Sequence, residues 1–353
     1  MTSGTPWLNW HDRLHRQLLR DPQWLPKGTT LVLAISGGQD SMALLGLLRD
    51  LRRQHHWSLH LWHGDHGWHP GSAQIARDLQ HWCLNEQLEL SISHADSGVT
   101  STEAKARAWR YAELTYLCRR RQANGDATIT VVTGHTANDR AETLLLQLSR
   151  GTDLAGLGSL RRQRPLNADS GDAIRLSRPL LSFSRSETAA ICHDLHLPVW
   201  LDPSNSDPRF DRNRIRQEVL PVLEALHPGC SQRMAALSER FAHVRDTQQE
   251  LLELALDALF DGVGLQRKRL EALSAGMRRN LLAHWFQHHQ LPSLSAHHLD
   301  QLSDALGPSK PPGHRDLPGG WHLRWNRNVV QLQRLDPGGN PNGSGDANRH
   351  SQV

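Results

Sequence analysis

Between residues 30 and about 150 the chain alternates short apolar runs with longer stretches in which apolar residues recur every three or four positions. The runs are Leu31 to Ile35, Leu59 to His63, Leu88 to Ser93 and Thr128 to Thr133; the periodic stretches lie near 41–54, 71–87 and 102–122, and another starts near Asn138. Short apolar runs suit strands buried on both faces, and the wider spacing suits amphipathic helices. Their alternation predicts βαβ units, and hence an α/β fold with a Rossmann-like parallel sheet covered by helices on both faces. Ligands of such sheets sit beyond the carboxyl ends of the strands.

After Pro179 the pattern turns helical, first over Ser184 to Leu195, then over several segments between Val219 and about Leu306, among them Met234 to Phe260 and Met277 to Gln287. A Pro/Gly-rich break, Gly307 to Pro312, precedes a β-like patch, Trp321 to Leu335. The expected organisation is a domain over 1–225, a smaller, mostly helical domain over 226–335 and a disordered tail over 336–353, where Gly, Asn, Ser and Asp leave almost nothing apolar.

Composition narrows the classes. A formal charge of +4 and a pI near 9.1 fit a nucleic-acid partner without demanding one. Cys83, Cys118, Cys192 and Cys230 are scattered and form no C-x-x-C pair, which argues against a disulfide scaffold, a zinc ribbon or a cluster site. The 23 histidines fall in no metal-binding pattern and read as structural. No stretch approaches the length needed to cross a bilayer, so a soluble, cytoplasmic protein is expected.

The strongest chemical signal is Ser36-Gly37-Gly38-Gln39-Asp40-Ser41, between a predicted strand and a predicted helix. Glycines there let the backbone approach a ligand, and the free N–H groups at a helix start favour an anion. The bland alternative is a tight turn with Ser or Asp as helix cap. The loop lacks both G-x-x-x-x-G-K-[ST] and G-x-G-x-x-G, which disfavours a Walker-type NTPase and a dinucleotide site.

Three further segments carry candidate chemistry. Gly134-His135-Thr136-Ala137-Asn138-Asp139-Arg140-Ala141-Glu142-Thr143 follows the fourth strand, at the sheet edge that holds the phosphate loop. Asp139 and Glu142 share a helix face there and read either as dipole complements or as ligands of Mg²⁺ or a cationic amine. Glu103, Arg107 and Arg110, at i, i+4 and i+7, form a charged stripe on another helix. Asp202-Pro203-Ser204-Asn205 is followed by Arg212-Asn213-Arg214-Ile215-Arg216.

Together with Asp65-His66-Gly67, Arg150-Gly151 and Arg178 to Leu181, these motifs resemble those of the tRNA(Ile)-lysidine synthetases, members of the PP-loop ATP pyrophosphatase class. The resemblance runs from about 30 to 225 and is fainter to 335, where Asp316-Leu317-Pro318-Gly319-Gly320 resembles the family's substrate-binding domain. The chain ends soon afterwards, so the additional C-terminal domain of longer relatives is expected to be absent. The resemblance implies ATP, Mg²⁺, free L-lysine and an isoleucine tRNA with a CAU anticodon, and leaves a homodimer open. It implies nucleotide binding by Ser36, Gly37, Gly38, Gln39, Asp40, Ser41 and His135, metal binding by Asp40 and Asp139, and catalytic parts for Asp40, Asp139, Glu142, Arg107 and Arg110. A tRNA thiolase on the same fold would need reactive or cluster-binding cysteines that the spacing does not offer. Glutamine-dependent amidation would need an amidotransferase partner, and a tRNA binder with a vestigial ATP site would not be expected to keep Ser36, Asp40, Ser41, Asp139 and Glu142.

Overall fold

A computed structural model describes residues 7–334 apart from 69–70, 97, 127, 168–173, 202–206 and 208. The expected tail 336–353 and the Asp202–Asn205 motif therefore lie outside the described residues. The chain forms two compact units, one ending at His243 and the other beginning at Val244.

The first unit opens with a helix that the periodicity did not single out, α1 (Asn9–Arg20), and then follows the expected alternation: β1 (Thr30–Ala34), α2 (Gln39–His55), β2 (Ser58–Asp65), α3 (Ser72–Asn85), β3 (Leu90–His94), α4 (Glu103–Ala123), β4 (Ile129–Thr133) and α5 (Ala137–Ser149). Next come a short α6 (Leu154–Leu157), β5 (Gln163–Pro165), β6 (Arg175–Ser177), α7 (Arg185–Asp194), α8 (Asp211–Arg214), a π-helical turn (Ile215–Val219) and α9 (Leu220–Leu226). The π turn ends two residues before Pro221, which has no N–H to continue an α-helical ladder.

The sheet order is β3-β2-β1-β4-β6-β5. All neighbours are parallel except β5, which runs antiparallel to β6. β1 is the hub, buried on both faces: Leu31 and Leu33 pack with Met42, Leu44 and Leu45 of α2 and Ile191 of α7, while Val32 packs with Leu114 and Cys118 of α4 and Val131 of β4. Strand order reverses direction between β1 and β4, so their carboxyl ends flank a crevice where doubly wound sheets take their ligands. The phosphate loop leaves β1 there, and Gly134-His135 leaves β4.

The second unit has its own core, in which Leu281, Leu282, Trp285 and Phe286 of one helix meet Leu302, Leu323, Trp325 and Val330. Its helices are α11 (Arg267–Glu271), α12 (Ala275–His288) and α13 (Ala296–Ala305), and α10 (Cys230–Leu259) contains the boundary between units. The β-like patch is part of a four-stranded antiparallel sheet in the order β7 (Leu265–Gln266), β10 (Val329–Arg334), β9 (Trp321–Trp325), β8 (Gly313–Leu317).

Candidate active site

The loop between β1 and α2 is held by its own hydroxyls. Ser41 Oγ donates to Gly38 O at 2.8 Å and accepts from Ser36 N at 3.2 Å, and Gly38 N donates to Ser36 Oγ at 3.2 Å. Gly37 sits at φ +79°, a left-handed backbone that suits glycine, with Trp200 closely packed where a Cβ would project. The first N–H groups of α2 then have no intrahelical acceptor and are available to an anion. Gly134 is fixed by space: a Cβ there would lie 2.8 Å from the Asp40 carbonyl oxygen. The β4 exit therefore packs directly on the start of α2.

Helix α7 braces this loop from outside the sheet. Its start is set by a capping box, Ser184 with Glu187. Gln39 Nε2 donates to Arg185 O and to Thr188 Oγ1 (2.8 Å), so Gln39 serves as an anchor of the loop. Thr188 Oγ1 donates to Asp40 Oδ1 at 2.5 Å, and Arg185 lies 4.0 Å from Asp40 Oδ2. Burial, reinforced by the nearby charge of Asp139, raises the Asp40 pKa. Sequence reading missed both partners of Asp40, because α7 is about 145 residues further along the chain.

Asp139 and Glu142 do come together, but not as free ligands. Asp139 Oδ2 accepts from Thr136 N (2.7 Å) and Thr136 Oγ1 (2.9 Å), capping its own helix, while Oδ1 receives Arg212 at 2.6 Å. Glu142, fully buried, receives Arg212 Nε at 2.7 Å and Arg216 Nε at 2.6 Å. Burial alone would raise the Asp139 pKa, but Arg212, the Thr136 N–H and Arg216 outweigh it, and the net shift is downward. Both Asp139 oxygens already accept hydrogen bonds, so a metal or an amine at Asp139 would share Oδ1 with Arg212. Glu142 lies behind the cavity wall and reaches it only through the two arginines. Sequence reading did not join these residues: Arg212 and Arg216 stand at i, i+4, but their acidic partners lie about 70 residues back.

The charged stripe of α4 divides. Glu103 and Arg110 line the cavity, whereas Arg107 is exposed and lies over the Tyr111 ring at 5.5 Å. The structure thus sets Arg107, expected at the catalytic site, apart from the cavity. His135 lines it, with Nδ1 2.8 Å from Thr133 Oγ1. Burial, aided by the Arg178 guanidinium, lowers the His135 pKa well below its ordinary value, so the ring is neutral at pH 7.

The cavity measures about 360 Å³ and is walled by Ser36, Gly38 to Ser41, Asp65, Glu103, Arg110, His135, Asp139, Arg185, Arg212 and Arg216, with Trp62, Trp68 and Phe210 as its aromatic part. A phosphate cradle, flanking cations and carboxylates of contrasting pKa in one cavity suit attack at a phosphorus. No cluster of three His, Cys, Asp or Glu suited to a metal exists among the described residues. The oxygen donors Asp40, Ser36 and Ser41 nevertheless fit Mg²⁺, which takes one or two carboxylates and completes its shell with water and phosphate. All four cysteines are buried, and burial pushes the thiols of Cys83, Cys118 and Cys192 up to about 12, so none of these three is a ready thiolate. No helix among the described residues is long and apolar enough to cross a membrane.

Residues 11–223 match the family model of a PP-loop domain, and residues 265–330 that of a TilS substrate binding domain. A tRNA(Ile)-lysidine synthase of Parasynechococcus marenigrum is 58% identical over 93% of this chain and 95% of that protein. One from Prochlorococcus marinus is 43% identical over 94% and 99%. Among solved structures, the U34-tRNA thiolase NcsA of Methanococcus maripaludis is similar with a TM-score of 0.53 and 19% identity, covering 66% of this chain and 79% of that one, a likeness of fold alone.

Proposed function

Because the chain belongs to the tRNA(Ile)-lysidine synthase family, we propose that its cavity performs both steps of lysidine formation on the wobble cytidine of the isoleucine tRNA with a CAU anticodon. In the first step the cytidine O2 attacks the α-phosphate of ATP and pyrophosphate leaves. In the second the side-chain amine of free L-lysine adds at C2, sheds a proton and displaces AMP. The modified anticodon reads AUA in place of AUG.

The observation that carries this reading is the phosphate cradle at the β1–β4 switch point, opening into a cavity that also holds Asp40, Asp139 and Arg110. The cradle's N–H groups and the hydroxyls of Ser36 and Ser41 suit the pyrophosphate, and Arg110 suits the α-phosphate. Mg²⁺, bound at Asp40, would neutralise charge on the leaving pyrophosphate. A free lysine ammonium, with a pKa of about 10.4, must give up a proton to become a nucleophile. The lowered pKa of Asp139 keeps it a carboxylate and suits it to holding that ammonium. Glu142 positions Arg212 and Arg216. Such an enzyme works in the cytoplasm, where its tRNA is, and a homodimer is tested by sedimentation velocity.

The deciding experiment incubates the protein with ATP, labelled lysine and bulk tRNA and identifies the labelled nucleoside by mass spectrometry. Label in lysidine at the wobble position is expected. ATP-dependent change of tRNA without lysine incorporation would refute the reading.

A further inference from the structure

Three rings form a ladder on one wall of the cavity. His66 and Trp68 stack with centroids 5.1 Å apart and 27° between planes, and Trp68 stacks on Phe210 at 5.5 Å and 24°. All three line the cavity. One end of the ladder is closed by Trp109, edge-on to His66 at 5.0 Å. At the other end Phe210 makes no further ring contact among the described residues.

Two large aromatic side chains normally stabilise a fold by burial in its core. Trp68 and Phe210 belong to none of the three apolar clusters among the described residues, and Trp68 stays 37% exposed. The Trp68 indole is nonetheless fixed in direction, and the Phe210 backbone is anchored. The Trp68 indole N–H donates to Thr100 O at 2.8 Å, and the residue before it, Gly67, is tied to Asp65 Oδ1 at 2.9 Å. Phe210 caps α8: its carbonyl accepts from Asn213 N at 2.9 Å, and two residues on Arg212 is clamped to Asp139 and Glu142. Stacked rings outside the packed core, half-buried at Phe210 and exposed at Trp68, that line a cavity suit a planar ligand.

We propose that Phe210, backed by Trp68, is the stacking platform for the cytosine base that the tRNA presents to ATP; this rests on the lysidine reading above. A loop base is recognised by unstacking it from its neighbours and laying it on an aromatic face. Here the base must also lie flat so that O2, and later C2, meets its reactant within the same cavity. Phosphate contacts fix a backbone but leave the base free to rotate, so a ring wall supplies what the cations cannot. Trp68 follows β2 and Phe210 precedes α8, and both line the cavity. The ATP phosphates are accounted for at Ser36 to Ser41, which leaves the ring wall free for a base.

The test compares Phe210→Leu, which keeps apolar bulk without a ring, with Phe210→Tyr and Trp68→Phe. KM and kcat are measured for the tRNA at saturating ATP and lysine, and for ATP at saturating tRNA. Phe210→Leu should lower kcat/KM for the tRNA about ten- to a hundredfold, the worth of one base–ring stack, and leave the KM for ATP within about twofold. Phe210→Tyr should restore most of the loss, and Trp68→Phe should be mild. A matching rise in the KM for ATP would assign the ring to adenine, and wild-type kinetics in Phe210→Leu would reduce it to packing; either overturns the proposal. A thermal melt of each variant excludes misfolding, with the Tyr variant as the folded control. If the unsubstituted enzyme makes no lysidine, the underlying reading fails, a result distinct from either of these.

Discussion

The phosphate cradle and the arginine clamp border one cavity and are built in contrasting ways. The cradle is six consecutive residues whose hydroxyls, glycines and helix start are all local. The clamp joins Asp139 and Glu142 to Arg212 and Arg216 across about 70 residues. Neutral N–H groups and hydroxyls wait for an anion on one side; on the other, charges are already neutralised within the protein. The first arrangement is built to receive charge, and the second to hold shape.

The sharpest way to break this comparison is at Asp40, the carboxylate held in the cradle. Asp40→Ala should lower tRNA-dependent pyrophosphate release by at least about a hundredfold, measured beside an unchanged far-ultraviolet circular dichroism spectrum; near-normal turnover would make the cradle merely structural. Asp40→Asn should be equally inactive yet more thermostable at neutral pH. Because folding raises the Asp40 pKa, its ionised form is disfavoured in the fold. That cost is absent below the unfolded value of about 3.9, grows as pH rises towards the folded value, and is fully present above it. A neutral isostere escapes it, so the melting-temperature gap should close in acid.

On the clamp side, Glu142→Gln strands two guanidinium groups. Breaking a buried pair costs roughly 3–5 kcal/mol, and the partial exposure of Arg212 and Arg216 and the remaining Asp139 carboxylate reduce this to about 1–2 kcal/mol. The melting temperature and both half-reactions should fall together. Asp139→Asn, altering a group on the cavity wall, should instead raise the lysine KM while adenylated tRNA still accumulates. The reverse pattern would exchange the two roles.

Smaller effects follow at the margins. Arg110→Ala should cost more than tenfold in kcat/KM and Arg107→Ala less than threefold, because only Arg110 lines the cavity; equal losses would return Arg107 to the site. Far from either side, burial and the neighbouring His15 lower the His55 pKa to about 4. The unfolded chain therefore binds the proton first, and stability contributed by this site is lost as pH falls from about 6.5 to about 4. His55→Phe, which keeps a ring against Trp57, should flatten the dependence of melting temperature on pH in that window.

Legibility in the sequence followed the same division. β1, α2 and the cradle were readable because apolar run, glycine turn and periodic helix are adjacent, and the sheet edge carrying His135 followed from the βαβ alternation. The strands β5 and β6 were not, being three residues each and largely polar. Helix α1 was passed over although it buries His11, Leu14 and Leu18. Asp139 and Glu142 were found as a pair, but their partners could not be, because an acidic pair reads alike whether it awaits a ligand or an arginine. Trp68 and Phe210 carried no periodic or charge signal; only their mutual stacking sets them apart.

The spread of the clamp along the chain has a consequence during synthesis. Ser41 emerges from the ribosome 175 residues before Arg216, an interval on the order of 10 to 35 s at about 5–20 residues per second. Over that time the nascent chain carries Ser36 to Ser41 without Arg185 and Thr188, which brace the loop in the fold, and then Asp139 and Glu142 without a counter-charge. Cradle and clamp alike therefore wait for late partners, α7 for the one and Arg212 and Arg216 for the other, so the site is assembled only once the C-terminal part of the first unit has been made.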